Sequence, residues 1–246
     1  MTPPASLQPL GAVALVLRSF RLLSRHFGSL FPLAFVPALA ISALGRALDP
    51  APRAPEIPVA SLETALALGF GVIVGFAVAG VLCLAALDAL LSKRHTIGEY
   101  LRQTMRNIGP ILVLGTLVTI AGLLGTLFLL VPGFYIFARF LPWTPAVVFE
   151  NAGWSGLGRA QALTEGYRWP LVGATLLLGL AGVAIGAALA PLFVYAKDSA
   201  VLVLLLESLF QAFVWALSAI LIAQVYLRLR ALKEDTMIAE IAASIG

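Results

Sequence analysis

Charged residues are scarce in this chain: they make up 11% of its 246 residues, whereas a soluble globular domain carries about 25%. Apolar residues reach 61%, and the mean hydropathy is +1.00. A soluble core cannot hide so much apolar surface from water, so lipid must act as the solvent for part of it. The sequence therefore excludes a soluble fold and predicts one all-α integral membrane domain.

Cysteine and histidine are also rare. The single cysteine, Cys83, excludes an intramolecular disulfide, and its place inside an apolar run predicts a packed, unreactive thiol. The two histidines, His26 and His95, stand beside basic residues, and no pattern pairs them with a nucleophile or groups them with acids. The net charge of +4 is not gathered on one face. We therefore expect no enzyme activity, no metal, no cofactor and no nucleic-acid partner.

Long apolar runs predict the membrane-spanning segments. A span needs about 20 apolar residues in helix, because lipid offers no hydrogen-bond partner to open backbone. A sixth run, 133–150, is shorter and is interrupted by Arg139, Pro142 and Pro145, so it is either a kinked span or a re-entrant element. The five clear runs are 27–48, 62–92, 108–131, 169–195 and 199–227.

Basic residues decide between five and six spans, because they are enriched in cytoplasmic loops. If 133–150 crosses, only Arg46, Arg53 and Lys197 lie on the outer side, and Arg139 lies within the membrane. The sequence therefore predicts six spans in the bacterial inner membrane, with both termini in the cytoplasm. A cleaved leader ending near Ala40 is an alternative that leaves the later spans unchanged. The cytoplasmic basic residues are Arg18, Arg21, Arg25, Lys93, Arg94, Arg102, Arg106, Arg159, Arg168, Arg228, Arg230 and Lys233.

Three of the spans are preceded by a basic, partly apolar segment, which predicts an amphipathic helix in the head-group plane. Each segment begins a unit of interfacial helix, outward span, turn and returning span, so the sequence predicts a threefold repeat. The alternative is that any multispan protein places basic segments before its spans. The segments are 14–23, 97–106 and 157–168. The single domain covers 10–235, between a disordered N-terminus, 1–9, and a short cytoplasmic tail, 236–246.

A motif runs through 131–169, in the order Pro-Gly-aromatic, Arg, Pro, Glu-Asn, Leu-Thr-x-Gly and Trp. Its residues are Pro132, Gly133, Arg139, Pro145, Glu150, Asn151, Leu163, Thr164, Gly166 and Trp169. The motif resembles the membrane domain of the glycerophosphoryl diester phosphodiesterase membrane-domain family and the related YciC-like six-span proteins. The chain departs from that pattern at Gln161, where the family commonly has tryptophan.

The resemblance implies a six-span fold and a membrane location. Some family members carry a phosphodiesterase domain after the membrane domain. The 246 residues leave no room for that domain, and no cluster of acids and histidines supplies its metal chemistry. We therefore expect no phosphodiesterase activity.

Ionisable residues within spans are costly unless they are paired or hydrated. Arg139 and Glu207 both fall roughly 9–14 Å from the outer boundary, which predicts a salt bridge between the fourth and sixth spans. A static pair that fixes helix packing is favoured over a gate or a proton-linked site. Asp88, near the cytoplasmic interface, is predicted to contact water or Arg94. Glu150 is predicted to cap the interfacial helix that follows it.

The leading hypothesis is a non-catalytic multi-pass inner-membrane protein that interacts with anionic lipid head groups or with a partner, in scaffolding, assembly or envelope maintenance. The basic interfacial helices favour it. The alternative is a small-solute transporter or channel that uses Arg139 and Glu207, although polar groups in the spans are few. The pairs Gly71/Gly75 and Gly182/Gly186 predict close helix packing, within the chain or in a homo-oligomer.

Overall fold

A computed structural model describes residues 11–48, 62–93 and 95–234. The predicted terminal segments 1–9 and 236–246, the outer loop 49–60 and Arg94 lie outside these residues. All the regular secondary structure of the described residues is helical. Its helices are α1 (Ala12–Arg25), α2 (Phe27–Leu48), α3 (Leu62–Leu91), α4 (Ile97–Arg106), α5 (Ile108–Phe128), α6 (Leu130–Phe140), α7 (Trp143–Val148), α8 (Gly156–Thr164), α9 (Arg168–Ala196) and α10 (Ala200–Lys233).

Five of the helices, α2, α3, α5, α9 and α10, are long and apolar enough to cross a membrane, by length and composition. They coincide with the five clear apolar runs of the sequence, so those five predictions are confirmed at the level of helices. Large apolar side chains also point outward, and Leu127 and Phe128 are each 81% exposed. Such surface needs an apolar solvent, which supports an integral membrane protein.

The sixth predicted span, 133–150, is not one continuous helix. It divides into α6, of 11 residues, and α7, of six, with the break at Leu141 and Pro142. At 1.5 Å per residue α6 is about 16 Å long, whereas the hydrocarbon core is about 30 Å thick. Pro142 and Pro145 lack the backbone N–H that would continue the helix, which explains the break. The segment is therefore kinked, and the count of six spans stays a prediction.

The order short helix, long helix, returning helical segment occurs three times among the described residues. It is formed by α1 to α3, by α4 to α7 and by α8 to α10. The predicted segment 97–106 has the same bounds as α4, and the segments 14–23 and 157–168 overlap α1 and α8. A common origin of the three units stays a prediction.

Helix α4 begins at Ile97 because Thr96 and Glu99 form a reciprocal N-terminal cap, known as a capping box. The Glu99 backbone N–H donates to the Thr96 hydroxyl oxygen at 3.3 Å, and the Thr96 N–H donates to the Glu99 carboxylate at 2.6 Å. This arrangement satisfies two backbone donors that the helix itself leaves free. The hydrogen bond from the Thr96 backbone is the main reason that the pKa of Glu99 lies below its usual value.

Helix α10 lies at the centre of the bundle and packs against α1, α2, α3 and α9. Its buried face includes Tyr226, and its Gln224 side chain donates to the hydroxyl oxygen of Ser19 in α1 at 2.8 Å. Through these contacts α1 is held beside the C-terminal end of α10. Helices α4 and α8 lie at the same end, which we call the basic end from here on.

Candidate functional site

The segment between α7 and α8 is shaped by two residues with positive φ. Asn151 has φ 53° and Gly153 also has φ 53°, a conformation that asparagine and glycine adopt more readily than other residues. The Asn151 side-chain oxygen accepts a hydrogen bond from Asn107 at 3.1 Å, and the Val148 carbonyl accepts one from Gln103 at 2.7 Å. These contacts fix the segment against α4 and place Glu150 at the basic end.

Glu150 accepts hydrogen bonds from two side chains, one nine residues further along the chain and one 76 residues further along. Arg159 of α8 donates from Nε to Oε2 at 2.7 Å and from Nη2 to Oε1 at 2.9 Å. The Tyr226 hydroxyl of α10 donates to Oε1 at 2.6 Å. No side chain caps the described start of α8. The prediction that Glu150 caps the following helix is therefore wrong: its carboxylate joins α8 to α10 instead.

The contacts of Glu150 extend into a network of five side chains, which we call the ionic network: Glu150, Arg159, Tyr226, Arg230 and Glu234. Arg230 donates to Glu234 at 2.8 Å, and Arg159 also contacts Glu234. Two carboxylates thus balance two guanidinium groups. The hydrogen bond to Glu150 is the largest cause that raises the pKa of Arg159 above its usual value. Burial raises the pKa of Glu234, but the hydrogen bonds from both arginines outweigh it and lower that pKa overall.

Three other residues of the predicted motif have structural roles outside this network. A Cβ at Gly133 would lie 2.6 Å from the backbone nitrogen of Thr126, so only glycine allows α5 and α6 to approach this closely. The Thr164 hydroxyl donates to the Arg139 carbonyl at 2.7 Å and holds α8 on α6. Gly166 has φ 85° and turns the chain into α9.

Of the other motif residues, some are buried and some are exposed at the surface. Pro145 and Leu163 lie in the buried interior. Pro132 is exposed near the start of α6. Trp169 is 67% exposed, and its ring centroid lies 5.9 Å from that of Tyr135. The motif therefore marks the packing of α6 to α9 rather than a set of converging reactive groups.

The predicted pair between Arg139 and Glu207 does not form. Glu207 instead pairs with Arg46 near the end of α2, at 2.7 Å between Nη2 and Oε1. Among the described residues Arg139 makes no ion pair; its guanidinium carbon lies 5.4 Å from the Phe140 ring centroid. The partner of Glu207 is therefore Arg46 and not Arg139. The transporter hypothesis requires Arg139 and Glu207 to act as a pair, and this pair is not formed.

Asp88 is buried near the end of α3 and accepts three hydrogen bonds. The donors are the backbone N–H of His95 at 3.0 Å, its ring Nδ1 at 2.7 Å and the Tyr100 hydroxyl at 2.7 Å. Burial, together with the hydrogen bond to Asp88, raises the pKa of Tyr100, so its hydroxyl remains a donor. The predicted contact with Arg94 falls outside the described residues. Asp88 fixes the turn between α3 and α4 and the orientation of the His95 ring.

A cavity of about 1220 Å³ adjoins this turn, between α2, α3 and α4. We call it the α2–α4 cavity. Apolar side chains line the cavity along most of α2 and α3. The part of the cavity nearest the basic end is lined by His26, Asp88, Lys93, His95 and Tyr100. No pattern in the sequence was interpreted as this cavity. Two features of the sequence are related to the cavity. Pro32 and Pro37 remove backbone donors within α2, and polar residues stand just before α2 and near the end of α3, which lie side by side at the basic end.

Three of the four glycines in the two pairs have no close neighbour among the described residues. A Cβ added at Gly71, Gly75 or Gly182 would meet no described atom within 4 Å, and one at Gly186 would lie 3.5 Å from Phe210. Three of the four positions are therefore open among the described residues, which does not support close packing within the chain. A homo-oligomer stays a prediction.

Comparisons of this chain with protein-family models, with curated proteins and with solved structures found no match. The resemblance to the glycerophosphoryl diester phosphodiesterase membrane-domain family therefore stays a prediction based on the motif residues alone.

Proposed function

We propose that this protein is a non-catalytic multi-pass protein of the bacterial inner membrane, with both termini in the cytoplasm, whose basic end binds anionic lipid head groups. In this role it serves scaffolding, assembly or envelope maintenance. The observation that carries the proposal is the division of α4 into three faces, because such a division matches the layers of a membrane interface.

The three faces of α4 are distinct in burial and chemistry. Tyr100 and Thr104 face the bundle and are buried. Ile97, Leu101 and Met105, spaced four residues apart, form an outward apolar row and are 59%, 47% and 46% exposed. Arg102 and Arg106, which directly follow Leu101 and Met105 in the sequence, are also exposed and form a basic row beside the apolar row. An apolar row beside a basic row suits acyl chains on one side and lipid phosphates on the other.

Helix α1 supports the same proposal with a second surface. Its inner face includes the buried residue Leu15, whereas Val13 and Leu17 are each 59% exposed. Arg18 and Arg21 are exposed on the same outward side. Two interfacial helices at one end would gather several cations at the head groups, where each contributes about 1 kcal/mol of attraction to an anionic surface.

The transporter alternative has less support. It depends on Arg139 and Glu207 acting together, and Glu207 is engaged by Arg46. The apolar interior also offers few polar groups, and among the described residues no group of three His, Cys, Asp or Glu side chains could hold a metal ion. We therefore retain lipid interaction as the proposed function.

The test is to extract the protein into polymer discs and to compare the lipids in the discs with those of the surrounding membrane by mass spectrometry. We expect enrichment of anionic lipids around the wild-type protein. The double substitution Arg102→Gln and Arg106→Gln should reduce it, since each removes a cation from the outer basic row. Lys197→Gln, in the exposed turn between α9 and α10, is the control that removes a cation elsewhere. Equal enrichment in all three proteins would contradict the proposal.

A further inference from the structure

The α2–α4 cavity has the volume of a site for a large ligand. Its 1220 Å³ exceeds the roughly 300–1,000 Å³ of pockets that hold drug-sized molecules. On α2 its wall includes Val36, which is 67% exposed, and on α3 it includes Val81, which is 7% exposed. The cavity therefore has a buried floor and a side that opens outward from the bundle.

The length of the cavity matches one leaflet of a bilayer. Its lining residues on α3 extend from Val74 to Ala89, which is about 22 Å along the helix at 1.5 Å per residue. On α2 they extend from Gly28 to Pro37, or about 14 Å by the same rise. One leaflet contributes roughly 15 Å to the hydrocarbon core. A small polar solute would leave most of this apolar length empty, whereas an acyl chain would fill it.

The polar end of the cavity is suited to an anionic head group. Lys93, His26 and His95 line it together, and the only carboxylate among the described lining residues is Asp88. That carboxylate is already engaged by His95 and Tyr100, so it is shielded from a ligand. Because the His95 ring uses Nδ1 toward Asp88, its Nε2 remains for another partner, and in the protonated ring the Nε2–H is a donor to a phosphate oxygen. One ammonium and two imidazole rings thus face a ligand at the basic end.

The α2 backbone adds acceptors to the same wall. Pro32 and Pro37 have no N–H, so the carbonyls of Gly28 and Leu33, four residues earlier, lack their usual helical donor. Gly28 and Leu33 both line the cavity. The Gly28 carbonyl is the one near the basic end, where it can accept a hydrogen bond from a hydroxyl group of a glycerol-based head group.

From these features we infer that the α2–α4 cavity binds a single phospholipid with an anionic head group. The phosphate lies at Lys93, His26 and His95, and an acyl chain runs along α2 and α3 past Val36. This inference rests on the proposed function but is narrower, because it names one enclosed lipid in addition to the lipids attracted around the basic end.

The test is native mass spectrometry of the delipidated protein in detergent, titrated with phosphatidylglycerol and, separately, with phosphatidylcholine. We expect one phosphatidylglycerol bound per chain, about tenfold tighter than phosphatidylcholine, a factor that corresponds to about 1.4 kcal/mol. Excess inorganic phosphate should not displace the lipid, because it cannot occupy the apolar part. Displacement by phosphate, or equal affinity for the two lipids, would overturn the assignment of the occupant.

Two substitutions locate the bound lipid. Val36→Trp fills the open side of the cavity and should lower the affinity for phosphatidylglycerol about tenfold or more. Val183→Trp is its control, because Val183 is 70% exposed on α9 and does not line the cavity. Lys93→Gln should abolish the preference for phosphatidylglycerol, whereas Lys197→Gln should preserve it. Equal binding by the two tryptophan variants would overturn the inference, and so would an unchanged head-group preference in Lys93→Gln.

The two proposals fail in different ways. If the single lipid is absent but Arg102→Gln with Arg106→Gln reduces the anionic lipid in polymer discs, the cavity inference is wrong and the proposed function stands. If the single lipid binds and the surrounding lipid shows no enrichment, the proposed function is wrong in its broader form and the cavity inference stands.

Discussion

Arg159 and Glu150 form a two-point ion pair in which both carboxylate oxygens accept from one guanidinium group, at 2.7 and 2.9 Å. The pair joins α8 to the segment after α7, and Tyr226 connects it to α10. The segment after α7 ends one helical unit and α8 begins the next, and Tyr226 lies 76 residues beyond Glu150, so these contacts hold two of the three helical units together at the basic end.

Glu150→Gln should destabilise the protein by about 1–3 kcal/mol, since a charged acceptor is removed and Arg159 and Arg230 keep their charges in a partly buried place. The measurement is the free energy of unfolding in detergent. Glu165→Gln is the matched control, because Glu165 is an exposed carboxylate just after α8. Equal stability of the two variants would show that the ionic network does not hold the units together.

Stability should fall in acid through Glu234. The folded pKa of Glu234 is below its ordinary value of about 4.5, so its contribution is present above that pH and is lost as the pH falls through the folded pKa. The unfolding midpoint should therefore decrease below about pH 4.5. In Glu234→Gln this decrease should be smaller than in Glu165→Gln. An identical pH profile for the two variants would contradict the role of Glu234.

Arg46 and Glu207 should be coupled energetically, and Arg139 and Glu207 should not. A double-mutant cycle with Arg46→Gln and Glu207→Gln should give roughly 0.5–1 kcal/mol, as expected for a partly exposed pair. The cycle with Arg139→Gln and Glu207→Gln should give nearly zero. Unfolding free energies of the single and double variants provide both values. Coupling found only in the second cycle would restore the pairing predicted from the sequence.

Gly133→Ala should cost about 1–3 kcal/mol, because the added Cβ overlaps the Thr126 backbone and forces α5 and α6 apart. Gly182→Ala is the comparison within α9, where a Cβ meets no described atom within 4 Å. That substitution should leave stability unchanged or raise it by about 0.5–1 kcal/mol, since alanine loses less backbone entropy in a helix. Thermal unfolding of both variants checks the prediction, and a reversed order would refute the close approach at Gly133.

The sequence by itself determined the features that depend on local pattern. The five long helices follow from apolar runs, α4 follows from its Thr96–Glu99 cap, and the break between α6 and α7 follows from Pro142 and Pro145. Each of these depends on residues within a few positions of one another, and hydropathy, capping and missing backbone donors act at that range.

Only the tertiary structure decided which side chains meet. Arg139 and Glu207 were paired because the sequence places both at a similar distance from the outer membrane boundary. That distance does not determine which helices are neighbours, or toward which side of its helix a side chain points. The packing of α10 against α2 brings Arg46 to Glu207, and the packing of α8 brings Arg159 to Glu150. The α2–α4 cavity arises in the same way, because it is a gap between three helices and no segment of the sequence encodes it alone.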